Sequence, residues 1–173
     1  MERAMSAGGI DACRPRASET AVQHFHLEPM SAGDDGVVLR VGGEIDVYTA
    51  PKLREAVIEL VDAGASHIIA DLREVEFLDS TGLGALIGAQ NRLRTQDGSF
   101  RLVITSDRII RIFSITGLVK VFEIHHSVRD AVAGDEHWGR IVAAEAEAEA
   151  EAEAEGGRGG GDVEAWCRRH GLA

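Results

Sequence analysis

With 173 residues, 45% of them hydrophobic, the chain has material for one core of ordinary size. Its formal net charge of −11 argues against nucleic acid as a direct partner, since binding phosphate backbones requires clustered cations. No apolar run reaches the roughly 18 residues of a membrane span, no signal peptide is legible, and Cys13 and Cys167 lack paired or CxxC spacing, so a reduced, cytoplasmic protein without a membrane partner is expected.

Residues 1–20 mix Gly, Ser, Ala, Arg and Pro without periodicity, which predicts a flexible leader. Alternation from Val22 to Leu27 predicts a first strand, Ser31–Gly36 a turn and Val37–Val41 a second strand, the two paired as a hairpin. Gly42-Gly43 is expected to break that strand. Thr49 then reads as an N-cap with Pro51 in the first helical turn. Leu53, Ala56, Val57, Leu60 and Val61 form an amphipathic stripe that Gly64 ends. His67–Leu72 predicts a buried strand, followed by a loop from Arg73 to Asp79 carrying Val75 and Phe77 inward. A helix from Ser80 to Arg94, a strand from Phe100 to Thr105 and a helix capped by Ser106 or Asp107 and stopping at Gly117 come next. Lys120–Ile124 predicts the last strand and Ser127–Ala133 the final helix. The order implies one α/β domain over residues 21–134, with a mainly parallel or mixed sheet, an N-terminal β-hairpin and about four helices.

Residues 135–173 hold 10 of the 29 acids but only 4 of the 18 bases. Glu145–Glu155 is a strict Glu-Ala repeat, which on a helix sets like charges at i and i+4 and offers no apolar stripe. With the Gly156–Gly161 linker, this predicts a disordered acidic tail that can be trimmed without functional loss. Val163–Cys167 is open between a weak docking patch and plain tail.

The most informative segment is Phe77-Leu78-Asp79-Ser80-Thr81-Gly82-Leu83-Gly84, which puts a hydroxyl at a helix start beside a carboxylate. A hydroxyl in that position can cap the helix, act as a nucleophile or accept a phosphate. Nucleophilic catalysis needs an adjacent base, and the G-x-S-x-G pattern is absent because Leu78 and Gly82 flank Ser80 at those offsets. Gly82–Gly88 reads G-x-G-x-x-x-G, one residue longer than the dinucleotide fingerprint and inside a helix, and no phosphate-binding G-x-x-x-x-G-K-[ST] occurs. His24/His26 and His125/His126 lack a carboxylate or Cys at ligand spacing, so no metal and no cofactor are expected. Asp46 and Asp79 sit at strand ends on one rim, where an acidic pair without pocket-lining aromatics favours an interaction surface over acid–base chemistry. No enzymatic activity is therefore expected, and a modifiable contact surface competes with simple helix capping.

Gly43-Glu44-Ile45-Asp46 with Thr49-Ala50-Pro51-Lys52-Leu53, the Phe77–Gly84 segment, and Thr116-Gly117-Leu118 with Val121-Phe122 resemble three signatures of the bacterial anti-sigma factor antagonists, the STAS-domain proteins. The resemblance spans roughly His24 to Ala133. It implies a partner-switching regulator of transcription, active in stress responses, whose unmodified form binds an anti-sigma factor serine kinase and frees the sigma factor. Phosphorylation by that kinase, with ATP bound to the partner, ends binding, and a PP2C-type phosphatase restores it. Carried over, Ser80 is the phosphorylation site, and Asp46, Asp79, Thr81, Gly82, Leu83 and Gly84 form the partner-binding surface, with Thr81–Gly84 as the exposed start of the recognition helix. A STAS-type module in a non-sigma sensory or stress complex, or a regulator binding a nucleotide or small molecule, are the alternatives.

Overall fold

A hairpin opens the computed structural model, which describes residues 24–153 and 163–172. The expected leader at 1–20, the predicted strand start at Val22 and the Gly156–Gly161 linker lie outside the described residues. Strand β1 (His26–Ala32) pairs antiparallel with β2 (Gly36–Ile45), from His26↔Gly42 to Ala32↔Gly36. The first strand thus begins later than predicted and takes in Ser31 and Ala32, leaving only Gly33–Asp35 to turn. Pro29 is tolerated because β1 lies at the sheet edge. Nor do the glycines break β2. Gly43 adopts φ +90°, and a Cβ there would lie 2.7 Å from the Phe25 backbone, so the pair permits close approach of the chain entering β1.

Helix α1 (Ala50–Asp62) buries Leu53, Val57 and Val61 as the stripe predicts. Strand β3 (His67–Leu78) runs parallel to β2 and is twice as long as expected, because the predicted loop at Arg73–Leu78 keeps pairing up to Ile45↔Leu78. A register shift between Gly43 and Glu44 leaves Glu76 as an extra residue. Such a bulge reverses the facing of the side chains beyond it, so Val75 and Leu78 are buried while Phe77, expected inward, is 46% exposed. Then come α2 (Ser80–Arg94), β4 (Ser99–Val103), α3 (Asp107–Ile115), a 3₁₀ turn (Leu118–Lys120) that takes up the first residue of the strand expected over Lys120–Ile124, β5 (Glu123–His125) and α4 (Val128–Ala133).

The sheet order is β1-β2-β3-β4-β5, with every pair after the first parallel. Strands laid down in sequence order by right-handed crossovers put all their connecting helices on one face. Accordingly α1, α2 and α3 share one core with Leu39, Val41, Ile68, Ala70, Leu72, Phe100 and Leu102. Alternate strand residues point the other way, and Val38, Ile69 and Val103 form a second apolar face.

That second face is covered by the segment expected to be disordered. Helix α5 (Glu136–Glu153) and helix α6 (Val163–Arg169) pack with α4 over it, burying Trp138, Ile141, Val142, Trp166, Cys167 and Leu172. Trp138 and Trp166 meet edge to face at 6.4 Å. Glu145, the first glutamate of the repeat, accepts from the Gly33 N–H at 2.8 Å and from the Trp166 indole. Arg73, clamped by the buried Asp71 carboxylate at 2.8 Å, and Arg40 donate to the Leu172 and Gly171 carbonyls. The expectation of disorder is corrected for the described residues 136–153 and 163–172: Trp138, Ile141 and Val142 recur at helical spacing ahead of the repeat and have an apolar surface to meet. Among the described residues no helix is long and apolar enough to cross a membrane.

Trp138→Ala should lower stability by about 3–5 kcal/mol, the cost of emptying a large core site. Chemical denaturation checks this. A midpoint unchanged from wild type would mean that α5 does not cover the sheet.

Candidate functional site

The β2–β3 pairing brings two loops together at the carboxyl ends of adjacent parallel strands. The last rung is Ile45↔Leu78, and the Asp79 N–H donates to the Ile45 carbonyl at 3.2 Å. Asp46 therefore follows one strand and Asp79-Ser80 the other, on one rim. Loops at this end of parallel strands are where α/β sheets present their functional groups.

Asp79, in extended conformation with φ −106° and ψ −174°, is the N-cap of α2, its Oδ1 accepting from the Gly82 N–H at 3.0 Å. Ser80 is the first helical residue and is exposed. Its hydroxyl has no hydrogen bond among the described residues. The capping role left open from sequence thus falls to the aspartate, and the serine oxygen faces solvent beside the unpaired N–H groups of the first turn.

The other expected contact residues divide. Thr81 and Gly84 are half-buried, and the space around a Cβ at Gly84 is open. Gly82 and Leu83 are buried, which corrects their placement on an exposed partner surface. Leu83 faces the core with Leu86. Gly82 lies so close to the strand ends that an added Cβ would sit 2.5 Å from Leu78 Cδ1 and 2.7 Å from Ile45 Cγ2. These two residues seat the helix start.

Asp46 organises its own loop. Its Oδ1 accepts from the Tyr48 and Thr49 N–H groups at 2.9 and 3.0 Å. Thr49 Oγ1 accepts from the Asp46 N–H at 2.8 Å and donates to the Glu44 carbonyl at 2.7 Å. Thr49 does precede α1, yet its hydroxyl makes no cap bond to the helix and is spent on this turn. The Tyr48 backbone bond, seconded by Thr49, holds the Asp46 carboxyl below its ordinary value. The turn pushes its intervening side chains outward, leaving Val47 56% and Tyr48 82% exposed. Together with Phe77 they give the acidic rim an apolar fringe that the sequence reading missed. Val-Tyr between two turn-forming polar residues, Asp46 and Thr49, is the signal that was available.

The histidine pairs weighed for metal lie at opposite sheet edges, His26 on β1 and His125 on β5. His26 Nε2 meets Glu74 Oε1 at 3.1 Å, and His125 Nε2 meets Arg101 at 3.3 Å.

The close approach at Gly82 is testable by a pair of substitutions. Gly82→Ala should destabilise by about 1–3 kcal/mol through overpacking, whereas Gly84→Ala should stabilise by up to about 1 kcal/mol through helix propensity. Equal effects in denaturant titrations would contradict the assigned packing. Separately, Asp46 should titrate below 3.8. A depressed folded value contributes stability above the unfolded value of about 3.9 and loses it as pH falls through the folded one. Carboxyl-detected NMR should find that midpoint, with the Tyr48 and Thr49 amides exchanging faster below it. A midpoint at or above 3.8 would contradict the turn.

Comparison with known proteins agrees with this architecture. The family model described as the STAS domain matches residues 28–131. The chain is similar to the anti-sigma-B factor antagonist of Bacillus subtilis (strain 168), 42% identical over 91 residues covering 53% of this chain and 83% of that one. It is also similar to the anti-sigma-B factor antagonist of Listeria monocytogenes, 44% identical over 102 residues covering 58% and 89%. Among solved structures, an anti-sigma factor antagonist from Mycobacterium paratuberculosis superposes with a TM-score of 0.59 at 31% identity, over 64% of this chain and 93% of that one. The anti-sigma factor antagonist SpoIIAA in its unphosphorylated form shares the fold, with a TM-score of 0.54 at 24% identity over 65% and 98%. The family match ends at residue 131, before α5 and α6.

Proposed function

The chain belongs to the STAS-domain family of anti-sigma factor antagonists, and from that premise we propose that it is a phosphorylation-switched binding protein whose acceptor is Ser80. Its unmodified form binds a cognate anti-sigma factor, a serine kinase, and thereby releases a sigma factor. Phosphate transfer to Ser80 ends the binding, and a PP2C-type phosphatase resets it. The protein is a regulator and carries no catalytic group of its own, and ATP is bound by the kinase.

The single observation behind this reading is that Ser80 is exposed and uncommitted while its neighbour Asp79 supplies the cap. Modification therefore leaves the hydrogen bonds of the fold intact. A phosphoserine brings about −1.5 to −2 of charge. The helix start favours that anion by roughly 0.3–1 kcal/mol, which protects the fold. Across an interface shaped for a neutral hydroxyl, the same dianion meets like-charge and desolvation penalties of several kcal/mol. Asp46 and Asp79 already make this rim acidic and add to the repulsion. Val47, Tyr48 and Phe77 supply the apolar contacts that a docked partner buries.

Incubation with the cognate kinase and ATP should add one phosphate, which Ser80→Ala removes without lowering the melting temperature. Ser80→Asp should weaken kinase binding at least tenfold, about 1.4 kcal/mol, again at unchanged stability. Persistent labelling of Ser80→Ala on the half-buried Thr81, or loss of stability in either variant, would refute the reading.

A further inference from the structure

Asp35, His67 and His137 come from three separate elements: the β1–β2 turn, the first residue of β3 and the first turn of α5. One ligand atom of each lies within 4.8 Å of the other two. The rings of His67 and His137 stack with centroids 3.6 Å apart at an interplanar angle of 22°. His137 Nε2 meets Asp35 Oδ1 at 3.0 Å. Two of the three side chains are also oriented from behind. Ser99 Oγ holds His67 Nδ1 at 2.9 Å, and Ser66 Oγ donates to Asp35 Oδ2 at 3.0 Å. His67 Nε2 is left without a hydrogen-bond partner among the described residues.

We propose that Asp35, His67 and His137 bind a first-row divalent transition-metal ion of the Zn²⁺ class that fastens α5 to the hairpin and the sheet. Two imidazoles and a carboxylate are a donor set that such ions take, whereas Mg²⁺ and Ca²⁺ require oxygen. Zn–N and Zn–O bonds of about 2.0–2.2 Å put tetrahedral ligand atoms about 3.3 Å apart. The His137–Asp35 contact already has nearly that spacing, and because an imidazole ligates in its ring plane, the stacked His67 and His137 rings must open toward a splayed arrangement for both nitrogens to reach one ion. The ion takes the place of the proton between His137 Nε2 and Asp35 Oδ1. His137 Nδ1 then carries the ring proton and turns from the exposed Arg140 guanidinium, now 3.4 Å away. Three protein ligands leave a fourth position for water, facing the open groove that Gly33, Arg140 and Ala144 line.

The site is independent of the switch, since β3 separates His67 from Leu78 by roughly 35 Å of extended chain.

The test uses the full chain, stripped with a chelator and titrated with Co²⁺, then Zn²⁺. One equivalent of Co²⁺ should give the intense visible absorption of a four-coordinate ion, and Zn²⁺ should displace it. His67→Ala and His137→Ala should each weaken binding by more than about 100-fold, and Ser99→Ala, which only orients a ligand, by about 10–100-fold. His126→Ala, an exposed histidine outside the site, should change nothing. Because His137→Ala can also loosen α5, Asp35→Asn serves as a second variant that keeps hydrogen bonds to Ser66 and must still lose the ion. Zn²⁺ should slow amide exchange in α5 of the wild type only. Binding that survives His67→Ala and Asp35→Asn, or no four-coordinate Co²⁺ spectrum at any concentration up to millimolar, overturns the proposal.

Discussion

The parallel pairing of β2 with β3 is the constraint on which the functional end of the molecule depends. Its last rung, Ile45↔Leu78, and the Asp79 N–H bond to the Ile45 carbonyl set two chain exits side by side. Slide this register by one residue and the side chains of the strand that moves change faces, which would turn Arg40 or Asp71 into the core beneath α1, α2 and α3. The register is thus held by the core, and the position of Ser80 relative to Asp46 is inherited from it. Gly82 tightens the arrangement, since only a residue without Cβ lets α2 start flush against Ile45 and Leu78. The geometry of the candidate site is a by-product of sheet packing.

The same topology accounts for the second half of the molecule. Sequential right-handed crossovers concentrate α1, α2 and α3 on one face, yet strands buried on both faces must be apolar at every position. Val38, Ile69 and Val103 carry that second requirement. They are met by α4, α5 and α6, with Trp138 and Trp166 as the bulkiest contributors. A polar network then fastens the cover: the Asp71 carboxylate holds Arg73 and Arg40, whose outer nitrogens reach the carbonyls of Leu172 and Gly171. On the described part of α5, Glu136 and Glu147 are exposed while Glu145 turns to Trp166 and the Gly33 N–H.

Legibility in the sequence depended on which signals are local. Leu53, Val57 and Val61 announce α1 by spacing alone, and the Phe77–Gly84 segment announces the site because its chemistry is contiguous. The length of β3 was not legible. Arg73-Glu74-Val75-Glu76 reads as loop by polarity, and it forms strand only because β2 offers partners beyond a bulge. Tertiary pairing here overrides local preference. The tail was misread for a related reason. Glu-Ala repetition dominates any window that contains it, while Trp138 and Ile141 gain meaning only once Val38 and Ile69 are known to lack cover. The Asp35–His67–His137 cluster is illegible in one dimension, its members lying in the hairpin turn, at the start of β3 and on α5.

The division of labour between Asp79 and Ser80 bears on how the proposed modification site could lie at a structural joint. Had Ser80 been the cap, phosphorylation would have removed a hydrogen bond from the start of α2, and a cap is worth about 1 kcal/mol of stability. The switch would then act partly by loosening the helix that presents it. With Asp79 Oδ1 on the Gly82 N–H, the serine oxygen is hydrogen-bonded to nothing among the described residues, and a phosphate there would report to the surface alone. The helix dipole works in the same direction, since it accommodates an added anion at this end. Under the proposed switch, stability would therefore be nearly blind to the modification while an incoming partner would not. That separation comes from an aspartate standing one residue ahead of the serine.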